Sequence, residues 1–156
     1  MITITLTYRN RELRIVERCL DSLKAQTLTT FEVFLVDYGS APSFSEGLVK
    51  LIKNYSFVRL IYCPVTQQLW NKSKAINIAL KQANGTSFFV GDIDMLYRND
   101  FIEILYFLRE KNDVTYFQVG FLTKEESLKQ KPYKAYQLKH LSGEEATGMT
   151  LYPTSL

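Results

Sequence analysis

Residues 2–8, Ile-Thr-Ile-Thr-Leu-Thr-Tyr, are almost all β-branched or aromatic and partly alternate, which predicts a strand. Over 11–26 the period changes. Leu13, Val16, Leu20 and Leu23 recur at helical spacing with Arg and Glu between them, so an amphipathic helix is expected, with Asn10 placed as its N-cap. Residues 31–36 are a short apolar run that ends at Asp37-Tyr38-Gly39-Ser40, a buried strand entering a turn. Leu48, Leu51, Ile52 and Tyr55 mark a second helix, and 57–62 a third strand. Residues 73–83 carry Ile76, Leu80 and Ala83 on one side of a third helix, which Asn84-Gly85 would end. A fourth strand over 87–90 closes at Gly91-Asp92-Ile93-Asp94, followed by a helix over 101–108 and a strand over 114–121. Beyond 122 the pattern weakens. Residues 124–134 are helix-like or looped, and 146–152 read as a last strand.

Strands alternating with helices of this length build βαβ units, hence an α/β fold with a mostly parallel central sheet and helices on both faces. Its ligands bind outside the carboxyl ends of the strands, near the switch in strand order. The informative residues are therefore 7–11, 37–40, 64–71 and 92–94. No repeat, low-complexity tract or linker divides the chain, and one domain over 1–156 is expected.

Composition narrows the function classes. Of 156 residues, 46% are hydrophobic and 22% charged, with ten Phe and ten Tyr, which excludes disorder as the main state. No apolar run approaches the ~18 residues of a membrane span. Met1 leads straight into the first strand without a basic segment, so no secretory signal is expected. Two cysteines are too few for a disulfide scaffold. The net charge of +3 is weak for a nucleic-acid binder, and no nucleic-acid partner is expected. Neither a Gly-x-Gly-x-x-Gly after the first strand nor a P-loop motif occurs.

Asp92-Ile93-Asp94 is the sharpest local signal. Residues two apart on a strand point the same way, so two carboxylates can converge there, and Mg²⁺ or Mn²⁺ favours such oxygens together with substrate phosphates. The alternative is a solvated acidic turn capping the next helix; the apolar strand in front of the tripeptide leaves the two about even. Asp37 can accept hydrogen bonds from a base or ribose, or simply form the turn before Gly39. Tyr8 can stack on a base or be half-buried. Lys72 and Lys74 flank a helix start, where anions are favoured, or are ordinary exposed lysines. Trp70 is a sugar platform or a pocket wall. Cys19 lies on the apolar helix stripe, and nothing near Cys63 suggests an activated thiolate. His140, the only histidine, reads as a surface or loop residue.

Four ordered blocks resemble a family 2 glycosyltransferase of the GT-A fold: Thr7-Tyr8-Arg9-Asn10-Arg11, residues 31–40, Asn71-Lys72-Ser73-Lys74-Ala75-Ile76-Asn77, and Gly91-Asp92-Ile93-Asp94-Met95. Cys19-Leu20-Asp21-Ser22-Leu23 and Gln26-Thr27 match the family's first helix. The third and fourth blocks look closest to the galactosyltransferase and chondroitin-polymerase-like branch. The resemblance is specific over roughly the first hundred residues, making 1–100 a nucleotide-sugar-binding half and 101–156 a partial acceptor-side half.

The resemblance implies roles. Thr7, Tyr8 and Asp37 would hold the base, with Arg11 and Lys74 near the base or diphosphate. Asp92 would face ribose and metal, and Asp94 would bind Mn²⁺ or Mg²⁺ on the diphosphate. The sequence departs from the family at Tyr38, where a second Asp is usual, at Ile76, where Arg is common, and at Arg9, where the family often has Tyr. The family's acceptor-side strand resembles 146–152, and its catalytic base lies beyond that strand. Glu144 and Glu145 precede it and take no catalytic role, so the catalytic residue is left unassigned.

The implied activity is metal-assisted, inverting transfer from a nucleotide diphosphate sugar, a UDP-sugar first, to a saccharide acceptor in polysaccharide biosynthesis. The implied setting is the cytoplasm or the inner face of the membrane, with peripheral membrane association or a homo-oligomer as further expectations. The competing readings are a shortened, non-catalytic nucleotide-sugar-binding domain and a flavodoxin- or receiver-like domain. The last would need acidic residues directly after the first strand, where Thr7-Tyr8-Arg9 stand.

Overall fold

The computed structural model describes residues 1–65, 67–111, 113–120, 122–128 and 148–153. Its elements are β1 (Ile2–Tyr8), α1 (Leu13–Lys24), β2 (Phe31–Tyr38), α2 (Pro42–Ile52), β3 (Val58–Cys63), α3 (Lys72–Leu80), β4 (Ser87–Asp92), α4 (Phe101–Arg109), β5 (Thr115–Gln118), α5 (Lys124–Leu128) and β6 (Gly148–Pro153). The expected residues 129–134 and 146–147 lie outside the described ones.

One six-stranded sheet has the order β3-β2-β1-β4-β6-β5. β1 pairs in parallel with β2 and β4, and β2 in parallel with β3. β6 runs antiparallel between β4 and β5; a residue pattern that marks a strand carries no record of its direction.

β1 and β2 are buried along their whole length, as central parallel strands covered on both sides must be. Strand parity divides their side chains between two cores. Ile2, Ile4, Leu6 and Tyr8 of β1, with Val33 and Leu35 of β2 and Phe89 of β4, pack against Val16, Cys19, Leu20 and Leu23 of α1, Leu48 of α2, and Ile102 and Leu105 of α4. On the other face, Phe34, Val36, Tyr38 and Phe88 meet Ala75 and Ala79 of α3. Burial of a large apolar side chain contributes about 1.5–3 kcal/mol, so these two faces supply most of the drive for folding. The threonines of β1 share the α3 face. At its lower end Thr3 Oγ1 donates to Glu32 at 2.7 Å and accepts from the Gly85 N–H at 2.9 Å.

Two local expectations are corrected. Asn10 is not the cap of α1, whose N-cap position falls at Glu12 without a side-chain cap bond. Asn10 instead takes a left-handed conformation, φ 52°. Its side-chain oxygen accepts from the Ala41 N–H at 2.8 Å, and its own N–H donates to Ser40 Oγ at 3.0 Å. The residue thus joins the loops after β1 and β2, a use for Asn that its tolerance of left-handed backbone permits. Tyr55 lies past α2 rather than on it. Its hydroxyl donates to Asp21 of α1 at 2.8 Å.

Candidate functional site

The strand order reverses around β1: β2 and β3 continue to one side, β4 to the other. The crevice expected at such a switch lies over the carboxyl ends of β1 and β4. There Thr7 and Asp92 are register partners on neighbouring strands. Thr7 also pairs with Val36, whereas Tyr8 pairs with Asp37. One step along each strand therefore separates an α3-facing set, Thr7, Tyr38 and Asp92, from a set facing α1 and α2, Tyr8 and Asp37.

On the α3 side Thr7 and Tyr38 are buried, whereas Asp92 and, just past the strand, Asp94 are open. Ile93 is buried in the α1-side core at 4% exposure, while the Asp92 and Asp94 side chains to either side of it keep 47% and 43%. Each carboxylate has a cationic partner. Lys72, the first residue of α3, bonds Asp92, and Arg11 lies 3.4 Å from Asp94. The start of α3 is capped by Asn71, whose side chain accepts from the Lys74 N–H at 2.9 Å. The Lys74 side chain is exposed at the same helix end. Lys72 thus reaches Asp92 from the start of α3, a helix end where anions are favoured and where Lys74 is exposed.

The opposite set is closed. Asp37 has no exposure, and both its oxygens are engaged. Oδ1 accepts from the Ser40 N–H at 3.1 Å and Oδ2 from Ser45 Oγ of α2 at 2.5 Å. This draws the turn onto α2, with Gly39 at φ 77° supplying the left-handed step that other residues rarely take. Tyr8 is likewise enclosed. Its hydroxyl donates to the Arg11 carbonyl at 2.9 Å. Burial first, and the Asp37 carboxylate second, push its pKa up to about 12. Tyr8 presents no open ring face to a base; it braces the loop that carries Arg11.

The floor beneath Asp92 and Asp94 is tightly packed. Tyr97 lies in edge and tilted contact with Phe89 and Phe101. Its hydroxyl is buried without a hydrogen-bond partner among the described residues, and burial raises its pKa well above the ordinary value. A Cβ at Gly91 would run into that hydroxyl, so only glycine fits the strand just before Asp92. Cys19 is wholly buried with its thiol 3.9 Å from the Asp92 carbonyl, and its pKa is raised chiefly by burial.

Gln26 fixes the segment after Asp94. Its amide nitrogen donates to the Ser22 and Arg98 carbonyls at 2.9 and 2.6 Å, and its oxygen accepts from the Ile102 N–H at 3.0 Å. Ser22 Oγ accepts from the Tyr97 N–H at 3.1 Å. Neither Gln26, Ser22 nor Ser45 is legible as a site-supporting residue by chemistry alone; the family-like helix containing the first two was the available signal. Trp70 meets Tyr38 edge-on at 6.0 Å and remains partly exposed beside Leu69. Cys63 is half-buried, with its thiol pKa raised. His140, Glu144 and Glu145 lie outside the described residues.

A family model, Glycosyl transferase family 2, matches residues 3–152. The chain belongs to glycosyl transferase family 2. No curated protein sequence matches it. Among solved structures, S. aureus TarS 1–349 superposes with a TM-score of 0.61 at 22% identity, covering 72% of this chain and 34% of that one. TarS 1–349 in complex with UDP-GlcNAc gives 0.60 at 23%, covering 72% and 32%. The mannosyltransferase PcManGT from Pyrobaculum calidifontis, in complex with GDP-Man and Mn²⁺, gives 0.63 at 19%, covering 81% and 37%. The chain spans about a third of the length of these structures. At such identities they show the fold, and the GT-A-like α/β architecture is common to all.

The donor set suits a divalent cation that completes its shell elsewhere. The described residues contain no group of three or more His, Cys, Asp or Glu that could hold a metal. Two open carboxylates are what Mg²⁺ or Mn²⁺ uses when phosphate oxygens and water provide the remaining ligands. No helix among the described residues is long and apolar enough to cross a membrane.

Proposed function

We propose that the chain binds the diphosphate of a nucleotide sugar over the ends of β1 and β4 as the donor half of a metal-assisted glycosyltransferase. One observation carries this reading: Asp92 and Asp94 are exposed at the end of β4 while Ile93 between them is buried in the core, and Lys72 at the start of α3 bonds Asp92. Asp92 and Asp94 would hold Mn²⁺ or Mg²⁺, which when bound offsets the negative charge of the departing diphosphate. Thr7 lies in register with Asp92 and would border the ribose, with Arg11 and Lys74 placed for phosphate oxygens. Tyr8 and Asp37 act from beneath: one braces the Arg11 loop, the other the turn at Gly39.

The fold is shared with structures in complex with UDP-GlcNAc and with GDP-Man, and the family motifs favour a UDP-sugar. The Asn71-Lys72 helix start ahead of Asp92-Ile93-Asp94 supports the galactosyltransferase and chondroitin-polymerase-like branch and, with it, a saccharide acceptor and inverting displacement. None of the described residues is assigned the acceptor's proton. The test is calorimetric titration of the chain with UDP and GDP, with Mn²⁺ or with EDTA, beside a transfer assay on a panel of nucleotide sugars. Mn²⁺-enhanced binding of a nucleoside diphosphate is expected, with UDP the tighter of the two. Absence of nucleotide binding under every condition would remove the reading.

A further inference from the structure

The two open carboxylates do not stand alone: Lys72 bonds Asp92 and Arg11 pairs with Asp94. The four charges cancel. Both pairs are solvated, with side-chain exposures between 41% and 56%, and exposed pairs of this kind are worth only ~0.2–1 kcal/mol each. They are therefore easily exchanged, yet each places a positive charge on the carboxylate that a metal would need. A bare divalent cation entering would leave the cluster with a surplus of two positive charges. A divalent cation arriving with a nucleoside diphosphate would keep the charge near balance, because the phosphates provide new partners for the displaced cations.

We propose that Lys72 and Arg11 are exchange cations, holding Asp92 and Asp94 in the ligand-free protein and transferring to the diphosphate oxygens when metal and nucleotide bind. The proposal rests on the assignment of Asp92 and Asp94 as the metal-binding pair. Lys72 has the means to move, since its ammonium sits on a flexible stem at the first turn of α3. Arg11 is in the loop whose backbone Tyr8 holds, so its guanidinium can swing while its main chain stays fixed. The consequence is an order of assembly. Release of a carboxylate to a metal is favoured when an anion is present to take its partner, so metal and nucleotide enter cooperatively.

The consequence for substitutions is a change of sign between two ligands. Removing either cation frees a carboxylate for metal alone but deprives the diphosphate of a contact. The experiment titrates Mn²⁺, followed by its paramagnetic resonance signal, into wild-type chain, Lys72→Met, Arg11→Gln and the double variant, without nucleotide and with saturating UDP. Lys50→Met, at an exposed position in the last turn of α2, controls for loss of one remote positive charge. Each single variant is expected to bind Mn²⁺ alone roughly fivefold to tenfold tighter than wild type, the effect of removing one like charge at a few ångströms in a solvated setting. The same variants are expected to bind UDP with Mn²⁺ at least about tenfold more weakly, while Lys50→Met moves neither value. Mn²⁺ affinity unchanged or weakened in Lys72→Met and Arg11→Gln overturns the exchange. If Asp94→Asn still abolishes Mn²⁺-dependent UDP binding in the same series, the metal assignment survives that failure. If UDP binding by wild type is indifferent to Mn²⁺, assignment and exchange fall together.

Discussion

Two strand ends in this chain offer carboxylates, and they are opposites. At the end of β2, Asp37 is sealed from solvent and spends both oxygens on Ser40 and Ser45. At the end of β4, Asp92 and Asp94 remain open, each paired with a solvent-exposed cation. The difference is a matter of parity. Thr7 is in register with Asp92, and Tyr8 with Asp37, so adjacent residues of β1 mark opposite faces of the sheet. The last residue of β2 on the Asp92 side of the sheet is Tyr38, which is buried. A carboxylate after a parallel strand is thus left open or enclosed as a turn anchor according to the face of the sheet on which it lies.

The largest effect that would sharpen this contrast is expected at Asp94. Asp94→Asn should cost roughly 100-fold or more in Mn²⁺-dependent nucleotide affinity, since even supporting residues of metal sites are worth 10–100-fold. Its unfolding midpoint in urea should match wild type, because the ion pair that is lost is solvent-exposed. At the closed end the balance should invert. Asp37→Ala is expected to lower stability by about 2 kcal/mol, because hydrogen bonds to a charged acceptor are worth ~1.5–3 kcal/mol, as read by urea unfolding. It should weaken UDP binding by the same factor with and without Mn²⁺; a loss confined to the Mn²⁺ arm would make Asp37 a metal ligand and break the contrast.

A smaller effect concerns the floor that keeps the open pair in place. Gly91→Ala should destabilise by about 1–3 kcal/mol through overpacking against Tyr97, Phe89 and Leu6. Adding Tyr97→Phe should recover part of that loss, because the hydroxyl it removes has no partner among the described residues to leave unsatisfied. Additive destabilisation in a double-mutant cycle would show that the collision is relieved elsewhere.

The smallest effect at neutral pH, and one growing with alkalinity, comes from the phenols. Burial raises the pKa of Tyr8 to about 12, above an ordinary value of 10; Tyr55 and Tyr97 are raised as well. A group that holds its proton more tightly when folded contributes stability that is complete below its unfolded pKa and lost as pH rises through the folded one. Stability should therefore be flat with respect to these groups up to about pH 10 and fall between roughly pH 10 and 12. Tyr8→Phe should flatten part of that fall, as measured by urea unfolding across the range.

Much of this architecture was legible in the residues. The alternation of strands and helices and the exposure of Asp92 and Asp94 on either side of buried Ile93 follow from periodicity, which is local and survives in a single sequence. The missed features are those settled by contacts distant along the chain. Asn10 looked like a helix cap because its sequence neighbours suggest one; its partners, Ser40 and Ala41, lie thirty residues on. Tyr8 and Asp37 could each be read two ways, as base contacts or as a half-buried aromatic and a turn-former; their enclosure depends on how α1 and α2 pack across the sheet. The antiparallel direction of β6 has no residue signature. The cations on Asp92 and Asp94 come from the start of α3 and the loop after β1, and only the folded topology brings Lys72 and Arg11 to them.

The central claim, that the end of β4 receives the ligand and the end of β2 supports it, is tested most directly by one ratio. UDP affinity in Mn²⁺ is divided by UDP affinity in EDTA for wild type, Asp37→Asn and Asp94→Asn, all by calorimetry at fixed ionic strength. Asp37→Asn is expected to lower both affinities and leave the wild-type ratio in place, whereas Asp94→Asn should bring the ratio to about one. A ratio that collapses in Asp37→Asn, or one that persists in Asp94→Asn, would contradict it.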